Sequence, residues 1–460
     1  MRSYRFEAAL LPQGWTRGAC ISVSDDGMIV SADSAVGRQI PAAVEHVDGF
    51  AVPGMPNAHS HAFQRAMSGD AEFRQSAQDS FWTWRKAMYA LANRITPADL
   101  QVIATRLFIE MLKSGYTSVA EFHYLHRELD GTGVTADNPL HEAIIEAARV
   151  TGIGLTLLPT LYQHSDFGGK ALREDQRRFN LSLAEFIAAI RQRTPSAAAP
   201  ADLIRCGAAF HSLRAVSIPV MREAVAALRG IDAAMPVHIH VAEQLREVNA
   251  CRRVTGKRPV ELLLDEGLLS PYWCLVHATH ANAAELRGVA DAKASICICP
   301  TTEGNLGDGF FSAEAYLQQG GGLSIGSDSQ ASVCAAEELR WFEYQHRLRR
   351  KRRAVLASAD QPHVGTRLWR EAARSGARAL GHPVGEIRAG CRADWLVLDP
   401  HDPSMAGTRV DNVLDRLVFS SARSAIRDVV VGGRRVVQNR RHALEDASAI
   451  EFEAWMRSEN

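Results

Sequence analysis

Short apolar runs alternate with amphipathic segments through the middle of the chain. Runs of this length that are rich in β-branched residues are typical of buried strands, and apolar spacings of three and four residues are typical of helices. The clearest helix spans Pro97 to Ser114, with Thr96 as its N-cap and Gly115 after its end. The expected strands are Ala51–Pro53, Tyr116–Ala120, Ile153–Pro159, Ile204–Phe210, Val237–Val241, Cys274–Val276, Ser295–Cys299 and Leu323–Ile325.

Eight such strands with helices between most of them predict an α/β fold, a (β/α)8 TIM-like barrel. The two ends of the chain differ from this middle part, because they carry short alternating runs around turn signals, such as Ile21–Val23 and Ile426–Val431. Since the barrel lies between these ends, we expect them to fold together. The predicted domains are a small β-sandwich module from residues 1–50 and 385–460, and a metal-dependent barrel from residues 51–384.

Composition and charge narrow the class of protein. A chain of 460 residues fits one large barrel with an accessory module. Lys+Arg and Asp+Glu both number 52, and this zero net charge argues against a nucleic-acid or membrane-surface partner. The eight cysteines form no C-x-x-C pair, the N-terminus has no apolar leader, and no apolar stretch reaches the roughly 18 residues of a membrane span. We therefore expect a reduced, cytoplasmic protein.

Polar and metal-binding residue types follow several of the expected strands. In a parallel barrel the carboxyl ends of all strands meet on one face, where active sites lie. Residues that are remote in sequence should therefore become neighbours there. The residues in question are His59 and His61 after the first strand, His211 and Arg214 after the fourth, His240 and Glu243 at the fifth, His277 at the sixth and Asp328 at the eighth.

Four of these residues predict a metal site. His59 and His61 point to the same side of an extended segment, so both imidazoles can reach one ion. His240 adds a third imidazole and Asp328 an anionic oxygen, a set that suits zinc or another borderline divalent ion. We expect one zinc ion per chain. We expect His238 to point elsewhere. The residues alone leave plainer interpretations open: a polar loop with two histidines, turn or cap carboxylates, and, for His277, a core histidine.

The order of these motifs resembles the mononuclear deaminase branch of the amidohydrolase superfamily. No lysine follows the fourth strand in the position that would suggest the carbamylated bridge of binuclear relatives. Within this branch the chain is similar to the formimidoylglutamate deiminases, or N-formimino-L-glutamate iminohydrolases, of histidine degradation. The similar stretches are residues 53–65 (PGMPNAHSHAFQR), 81–85 (FWTWR), 121–124 (EFHY) and 240–244 (HVAEQ).

This resemblance implies an activity and a set of residue roles. The implied reaction is hydrolysis of N-formimino-L-glutamate, a small dianionic substrate, to N-formyl-L-glutamate and ammonia. A metal ion would lower the pKa of the attacking water, and Glu243, His277 and Asp328 would be the catalytic residues that move protons or steady charge. The implied ligands are His59, His61, His240 and Asp328 for the metal, and Gln64, Arg85, Tyr124, His211 and Arg214 for the substrate. We also expect a homodimer.

Two other functions remain open. The first is another mononuclear zinc deaminase that acts on a purine, pyrimidine or triazine ring. Apolar and aromatic walls would serve such a ring better than two arginines would, so the arginine pair discriminates against it. The second is a non-catalytic barrel that serves as a scaffold, although such a chain would be free to lose the ligands that this one carries.

Overall fold

The computed structural model describes residues 1–34, 44–70, 72, 81–133, 137–195, 199–420 and 422–459, with the backbone alone at residues 81, 422, 423 and 459. Its strands are β1 (Arg2–Leu11), β2 (Gly14–Arg17), β3 (Ala19–Val23), β4 (Ile29–Ser34), β5 (Val44–Pro53), β6 (Met55–Ser60), β7 (Tyr116–His123), β8 (Gly154–Leu161), β9 (Ile204–Cys206), β10 (Ala208–Phe210), β11 (Val237–Val241), β12 (Trp273–His277), β13 (Ser295–Ile298), β14 (Gly322–Ile325), β15 (Trp395–Leu398), β16 (Ile426–Val431), β17 (Arg434–Gln438) and β18 (Arg441–His442).

The α-helices of the described residues lie mostly between the strands of the barrel. They are α1 (Phe81–Ala92), α2 (Pro97–Lys113), α3 (Pro139–Thr151), α4 (Leu183–Arg193), α5 (Ile218–Ile231), α6 (Leu245–Thr255), α7 (Pro259–Asp265), α8 (Ala283–Asp291), α9 (Pro300–Leu306), α10 (Ala313–Gln318), α11 (Ala335–Arg350), α12 (Val364–Leu380), α13 (Val413–Phe419) and α14 (Glu445–Glu459). Short 3-10 helices occur at Ala62–Met67, Glu174–Phe179, Pro403–Met405, Val410–Asn412 and Ala422–Ala425.

Parallel strands β6 to β14 form a nearly closed barrel. Neighbouring strands pair in chain order, except that β9 and β10 both pair with β8 and together occupy one position in the barrel. The ends of the sheet meet where Ser60 bridges Asp328. There the His61 N–H donates to the Asp328 carbonyl at 3.1 Å, and the Asp328 N–H donates to the His59 carbonyl at 3.0 Å. The predicted eight-stranded barrel is confirmed.

The first barrel strand differs from the prediction. Ala51–Pro53 is the end of β5, which pairs antiparallel with β15, so that Ala51 lies opposite Val397. The first strand of the barrel is β6, which begins one residue after Gly54. A Cβ at Gly54 would lie 2.3 Å from the Thr117 side chain, so only glycine permits this approach. Because apolar residues continue across the junction, hydrophobicity alone could not separate the two strands.

The ends of the chain form the second sheet. Among the described residues it has nine strands, in the order β18-β17-β16-β15-β5-β1-β3-β4, with β2 paired to β1. One face, including Phe6 and Trp395, forms a small separate core. The other face, including Leu10 and Val52, packs into the main core of the barrel. The prediction of a module from both chain ends is confirmed, and the division at residues 50 and 384 stays a prediction.

Helix α2 begins as predicted, because Thr96 Oγ1 accepts from the Asp99 N–H and Asp99 Oδ2 accepts from the Thr96 N–H, and it ends at Lys113. All eight cysteines lie in described residues, and none forms a disulfide. No helix in the described ranges has both the length and the apolar character that crossing a membrane requires.

Candidate active site

The predicted polar residues meet at the carboxyl ends of the barrel strands. Three residues at the ends of β11, β12 and β14 have left-handed backbone conformations, with φ of 52° at Ala242, 70° at His277 and 47° at Asp328. Such conformations are uncommon outside glycine, and they concentrate where a fold holds side chains for function. In this site they occur at His277 and Asp328 themselves and at Ala242, one residue before Glu243.

His59, His61, His240 and Asp328 form a compact buried cluster. Asp328 Oδ1 lies 3.2 Å from His59 Nε2 and 3.4 Å from His61 Nε2. His240 Nε2 lies 3.0 Å from His59 Nε2 and 3.3 Å from His61 Nε2. A tetrahedral zinc site with ligand distances of about 2.0–2.1 Å has edges of about 3.3 Å. The four separations therefore match the edges of one tetrahedral ion site.

The protonation of two histidines supports the same conclusion. His61 Nδ1 lies 2.9 Å from the Phe122 carbonyl, and His240 Nδ1 lies 3.0 Å from the His211 carbonyl. A carbonyl only accepts, so each Nδ1 carries the proton, and in a neutral ring Nε2 presents a lone pair. Two lone pairs that face each other at 3.3 Å repel unless a cation lies between them. The cluster thus has the chemistry of a metal site whose ligands are oriented by backbone carbonyls.

Burial keeps the three histidines in the neutral state that metal binding would require. It lowers the pKa of His59 to about 3 and lowers the pKa of His61 and His240, so the imidazoles are neutral. Burial would raise the pKa of Asp328, but the hydrogen bond from His59 and the positive charge of His277 lower it below its usual value. One atom each of His59, His240, His277 and Asp328 also lie within 4.8 Å of one another.

Glu243 and His277 lie beside this cluster. His277 Nε2 is 3.9 Å from Glu243 Oε1 and 3.7 Å from Asp328 Oδ2. Burial raises the pKa of Glu243 to about 7, although the positive charge of His277 opposes this shift. Burial lowers the pKa of His277, but the negative charge of Glu243 and a hydrogen bond to Glu303 outweigh it and raise the pKa to about 10. A carboxyl that titrates near neutrality suits proton transfer.

A pocket with a cavity volume of about 50 Å³ opens above the cluster. All five residues predicted to bind substrate line it, together with three of the four predicted metal ligands, and His59 lies beneath. The lining residues are His61, Gln64, Trp84, Arg85, Met88, Tyr89, Tyr124, His211, Arg214, His240, Glu243, His277, Leu306 and Asp328.

The polar wall of the pocket has unused hydrogen-bonding capacity. Gln64 Nε2 donates to the Tyr124 hydroxyl at 2.9 Å, while the buried Gln64 Oε1 has no partner among the described residues. The His211 ring lies 5.8 Å from the Tyr124 ring and 4.4 Å from the Tyr162 ring. A buried polar atom without a partner is costly, so a donor on a bound ligand would complete the Gln64 amide.

Arg85 and Arg214 bring positive charge into the pocket. Arg85, on α1, lies 4.4 Å from the centre of the Trp82 ring and 5.5 Å from that of Tyr89. Burial lowers the pKa of Arg85, and the nearby charge of Arg214 lowers it further. The Arg214 side chain is buried, and its Nε has no hydrogen-bond partner among the described residues. Neither arginine forms an ion pair with the described residues, so the pocket favours an anion.

A family comparison decides the class of this protein. The Amidohydrolase family model matches residues 50–436, which include every residue of the site. The chain belongs to the amidohydrolase family. This membership confirms the predicted hydrolase acting on carbon–nitrogen bonds and sets aside the non-catalytic scaffold.

Similar proteins refine this assignment. The amidohydrolase is 47% identical over 447 residues to formimidoylglutamate deiminase of Pseudomonas aeruginosa, with 97% of each chain covered, which confirms the resemblance drawn from the motifs. It is 28% identical over 442 residues to 8-oxoguanine deaminase of the same species, covering 93% of this chain and 92% of the other. The crystal structure of an amidohydrolase from Brucella melitensis aligns with a TM-score of 0.91 and 38% identity, covering 100% of this chain and 99% of that one.

Several residues that hold the amidohydrolase site together were missed in the sequence. Asn57 Nδ2 donates to Ser327 Oγ at 2.7 Å, and Asn57 Oδ1 accepts from the Ser327 N–H at 3.0 Å, which fixes the chain before Asp328. Glu121 accepts from Ser60 Oγ at 2.7 Å and from the Ala62 N–H at 2.6 Å. Asn57 and Glu121 lie inside the quoted motifs, and that position was the available signal.

Proposed function

We propose that the amidohydrolase hydrolyses N-formimino-L-glutamate to N-formyl-L-glutamate and ammonia in histidine degradation. The observation that carries this proposal is the pair Arg85 and Arg214, which face the same pocket as the histidine and aspartate cluster and form no ion pair with a carboxylate of the described residues. Guanidinium groups pair well with carboxylates, and the proposed substrate has two. The name of the relative from Pseudomonas aeruginosa supports the same substrate.

The proposed metal ligands are His59, His61, His240 and Asp328, and the proposed metal is one zinc ion per chain. A divalent ion bound there would act as a Lewis acid that lowers the pKa of water toward neutrality. The separations of 3.0–3.4 Å among the four side chains support this ligand set. The position of His277 Nε2, next to Glu243, supports a role in catalysis for His277 instead.

The residues around the cluster divide the reaction among them. The oxygen of water bonds to the formimino carbon, and the bond from that carbon to the terminal nitrogen breaks. Asp328 Oδ2 would accept the protons of water, and the His277 side chain, which is positively charged at neutral pH, would steady the developing negative charge. Glu243 would pass both of these protons in turn to the leaving nitrogen, one as the water oxygen bonds to the carbon and one as the carbon–nitrogen bond breaks, so that the nitrogen departs as ammonia. A pKa near 7 lets Glu243 both accept and donate at neutral pH.

The remaining pocket residues would select the substrate. We assign Gln64 to the formimino end, where its free Oε1 can accept from a substrate N–H. We assign Arg85, Tyr124, His211 and Arg214 to the two carboxylates. This division accounts for the charge of the pocket, because the arginines lie on its wall while Asp328 lies within the cluster of proposed metal ligands and Glu243 lies beside it.

An ammonia-release assay tests the proposal. The purified, zinc-loaded protein would be given N-formimino-L-glutamate, and in parallel adenosine, guanine and cytosine. We expect release from the first compound alone. Trp84, Tyr89 and Tyr124 also give the pocket aromatic walls that could enclose a ring, so the ring deaminase is the rival. Faster turnover of any ring compound would replace the proposed function with this rival.

Two broader properties belong to the same proposal. The eight unpaired cysteines fit a reducing compartment, in agreement with a cytoplasmic enzyme. We also propose a homodimer, which sedimentation equilibrium on the zinc-loaded protein would test. A monomer at micromolar concentration would contradict it.

A further inference from the structure

A third buried carboxylate, that of Glu303, lies next to His277 on the side of its ring opposite Glu243 and Asp328. Glu303 lies in α9, and its Oε1 is 3.3 Å from His277 Nδ1. The same oxygen accepts from the Cys299 N–H at 2.9 Å, which fixes its position. The side chains of Glu303 and His277 are each only 2% exposed. Glu303 has no role in the reaction proposed above.

The contact with Glu303 determines the orientation of the His277 imidazole. An ionised carboxylate only accepts hydrogen bonds, so Nδ1 must carry a proton that points at Glu303. The opposite nitrogen, Nε2, then faces Glu243 Oε1 and Asp328 Oδ2. Without an acceptor at Nδ1 the ring could flip or change tautomer. A carboxylate that orients a catalytic imidazole in this way is a recurring arrangement in enzymes.

The segment that carries Glu303 also contacts the chain beside the proton-transfer residue Glu243. The Asp308 N–H donates to the Glu303 carbonyl at 2.9 Å. The Asp308 carboxylate accepts from Nε2 of Gln244, the residue after Glu243. Between them, Leu306 lines the pocket. The segment from Glu303 to Asp308 therefore contacts both His277 and the chain next to Glu243.

We propose that Glu303 is a positioning residue for the hydrolysis, which holds the Nδ1–H of His277 and so presents Nε2 to the reacting atoms. The kinetic part of this inference rests on the proposed function. The orientation of His277 does not, and it can be measured without any substrate.

The kinetic experiment compares Glu303→Gln, His277→Asn and the double variant, all zinc-loaded. Glu303→Gln keeps the size and one acceptor oxygen but removes the charge. We expect kcat for N-formimino-L-glutamate to fall about 10- to 100-fold, as for other residues that orient an active-site histidine. KM should change less than about threefold and zinc content should not change, because Glu303 touches neither substrate nor metal. Added to His277→Asn, the substitution should have no further effect, since it acts through His277.

Glu343→Gln is the matched control. Glu343 is a fully buried carboxylate on α11 that accepts from the Val355 and Leu356 N–H groups and does not line the pocket. Its substitution should leave kcat within about twofold even if the protein becomes less stable. An unchanged kcat in Glu303→Gln, or additive losses in the double variant, would overturn the proposal.

Nitrogen NMR on protein labelled with ¹⁵N-histidine gives the second readout. The His277 signals are assigned by their loss in His277→Asn. We expect a protonated Nδ1 in the wild-type protein and a shifted Nδ1 signal in Glu303→Gln. An unprotonated Nδ1 in the wild type would overturn the proposal even if the variant did not fold. A protonated Nδ1 in a protein that releases no ammonia from N-formimino-L-glutamate would instead refute the proposed function and leave the positioning role standing.

Discussion

Asp328 and His59 are joined twice across the seam of the barrel. The Asp328 N–H donates to the His59 carbonyl at 3.0 Å, and Asp328 Oδ1 lies 3.2 Å from His59 Nε2. The first contact helps to close the barrel between β6 and the residues after β14. The second contact joins two of the four proposed metal ligands. A cation bound at this seam would therefore stabilise the folded barrel as well as supply the chemistry.

Removal of the metal should lower both activity and stability. We expect about one zinc ion per chain by elemental analysis, and His240→Ala should lose most of it, along with activity. Zinc at 100 times its Kd would stabilise the native state by about 2.7 kcal/mol, so chelation should lower Tm.

His238→Asn is the matched control for the metal prediction. His238 lies two residues away on the same strand, but its Nε2 bonds the Ala379 carbonyl at 2.8 Å, away from the cluster. This variant should keep its zinc even if its Tm falls. Two ions per chain, or full occupancy in His240→Ala, would contradict the assignment.

Gly326→Ala should disturb the metal site without changing a ligand. An alanine Cβ there would lie 2.7 Å from His59 Cβ, 2.9 Å from the His59 carbonyl oxygen and 3.1 Å from Cys297 Sγ. Backbone and a buried strand cannot move away freely, and such overpacking typically costs about 1–3 kcal/mol. We expect weaker zinc binding in a competition titration and a lower Tm. Gly230→Ala, in open space on α5, should instead stabilise the protein by about 0.5–1 kcal/mol.

Glu243→Gln should keep the metal and lose turnover. Glutamine preserves the size of the side chain, but it cannot exchange a proton with the leaving nitrogen. General acid–base groups contribute about 10²–10⁴-fold, so kcat should fall by this factor while zinc content and Tm stay close to the wild type. In the wild type, kcat should change as pH passes through the pKa of about 7, and this response should be lost in the variant. Near-normal turnover in Glu243→Gln would remove Glu243 from the mechanism.

Arg85→Met and Arg214→Met should lose affinity in a way that depends on substrate charge. Methionine roughly preserves bulk and deletes the charge, and a hydrogen bond to a charged group is worth about 1.5–3 kcal/mol. Each variant should have a sharply lower kcat/KM for N-formimino-L-glutamate, with the zinc retained. N-formimino amino acids without the side-chain carboxylate should be poor substrates for the wild type, and at least one variant should be nearly indifferent to that carboxylate.

A double-mutant cycle between arginine and substrate carboxylate isolates the pairwise term of this prediction. Non-additive losses for one arginine would identify the partner of the side-chain carboxylate. If the losses add for both arginines, neither contacts that carboxylate, and the ring-deaminase alternative gains support.

The type and order of the barrel strands after the first, and the residues at their ends, could be predicted from the sequence alone. Val237–Val241 is predicted with its observed bounds, and His240 lies at its end. This was possible because strand periodicity and turn residues are local properties, and because parallel strands must bring their carboxyl ends to one face. The motifs could therefore be grouped into one site from the sequence alone.

Contacts between residues that are distant in the chain could be seen only in the tertiary structure. Ala51–Pro53 pairs with β15 instead of β7, because pairing reflects which edge is available and not hydrophobicity. His238 and His240 lie on the same side of β11, as residues two apart do, yet His238 bonds α12 and His240 reaches the cluster. Glu303 carried no signal at all, because its role exists only through its contact with His277, 26 residues away. The position of a residue along a strand follows from the local sequence. Its depth in the barrel and its contacts depend on the elements that pack around the strand.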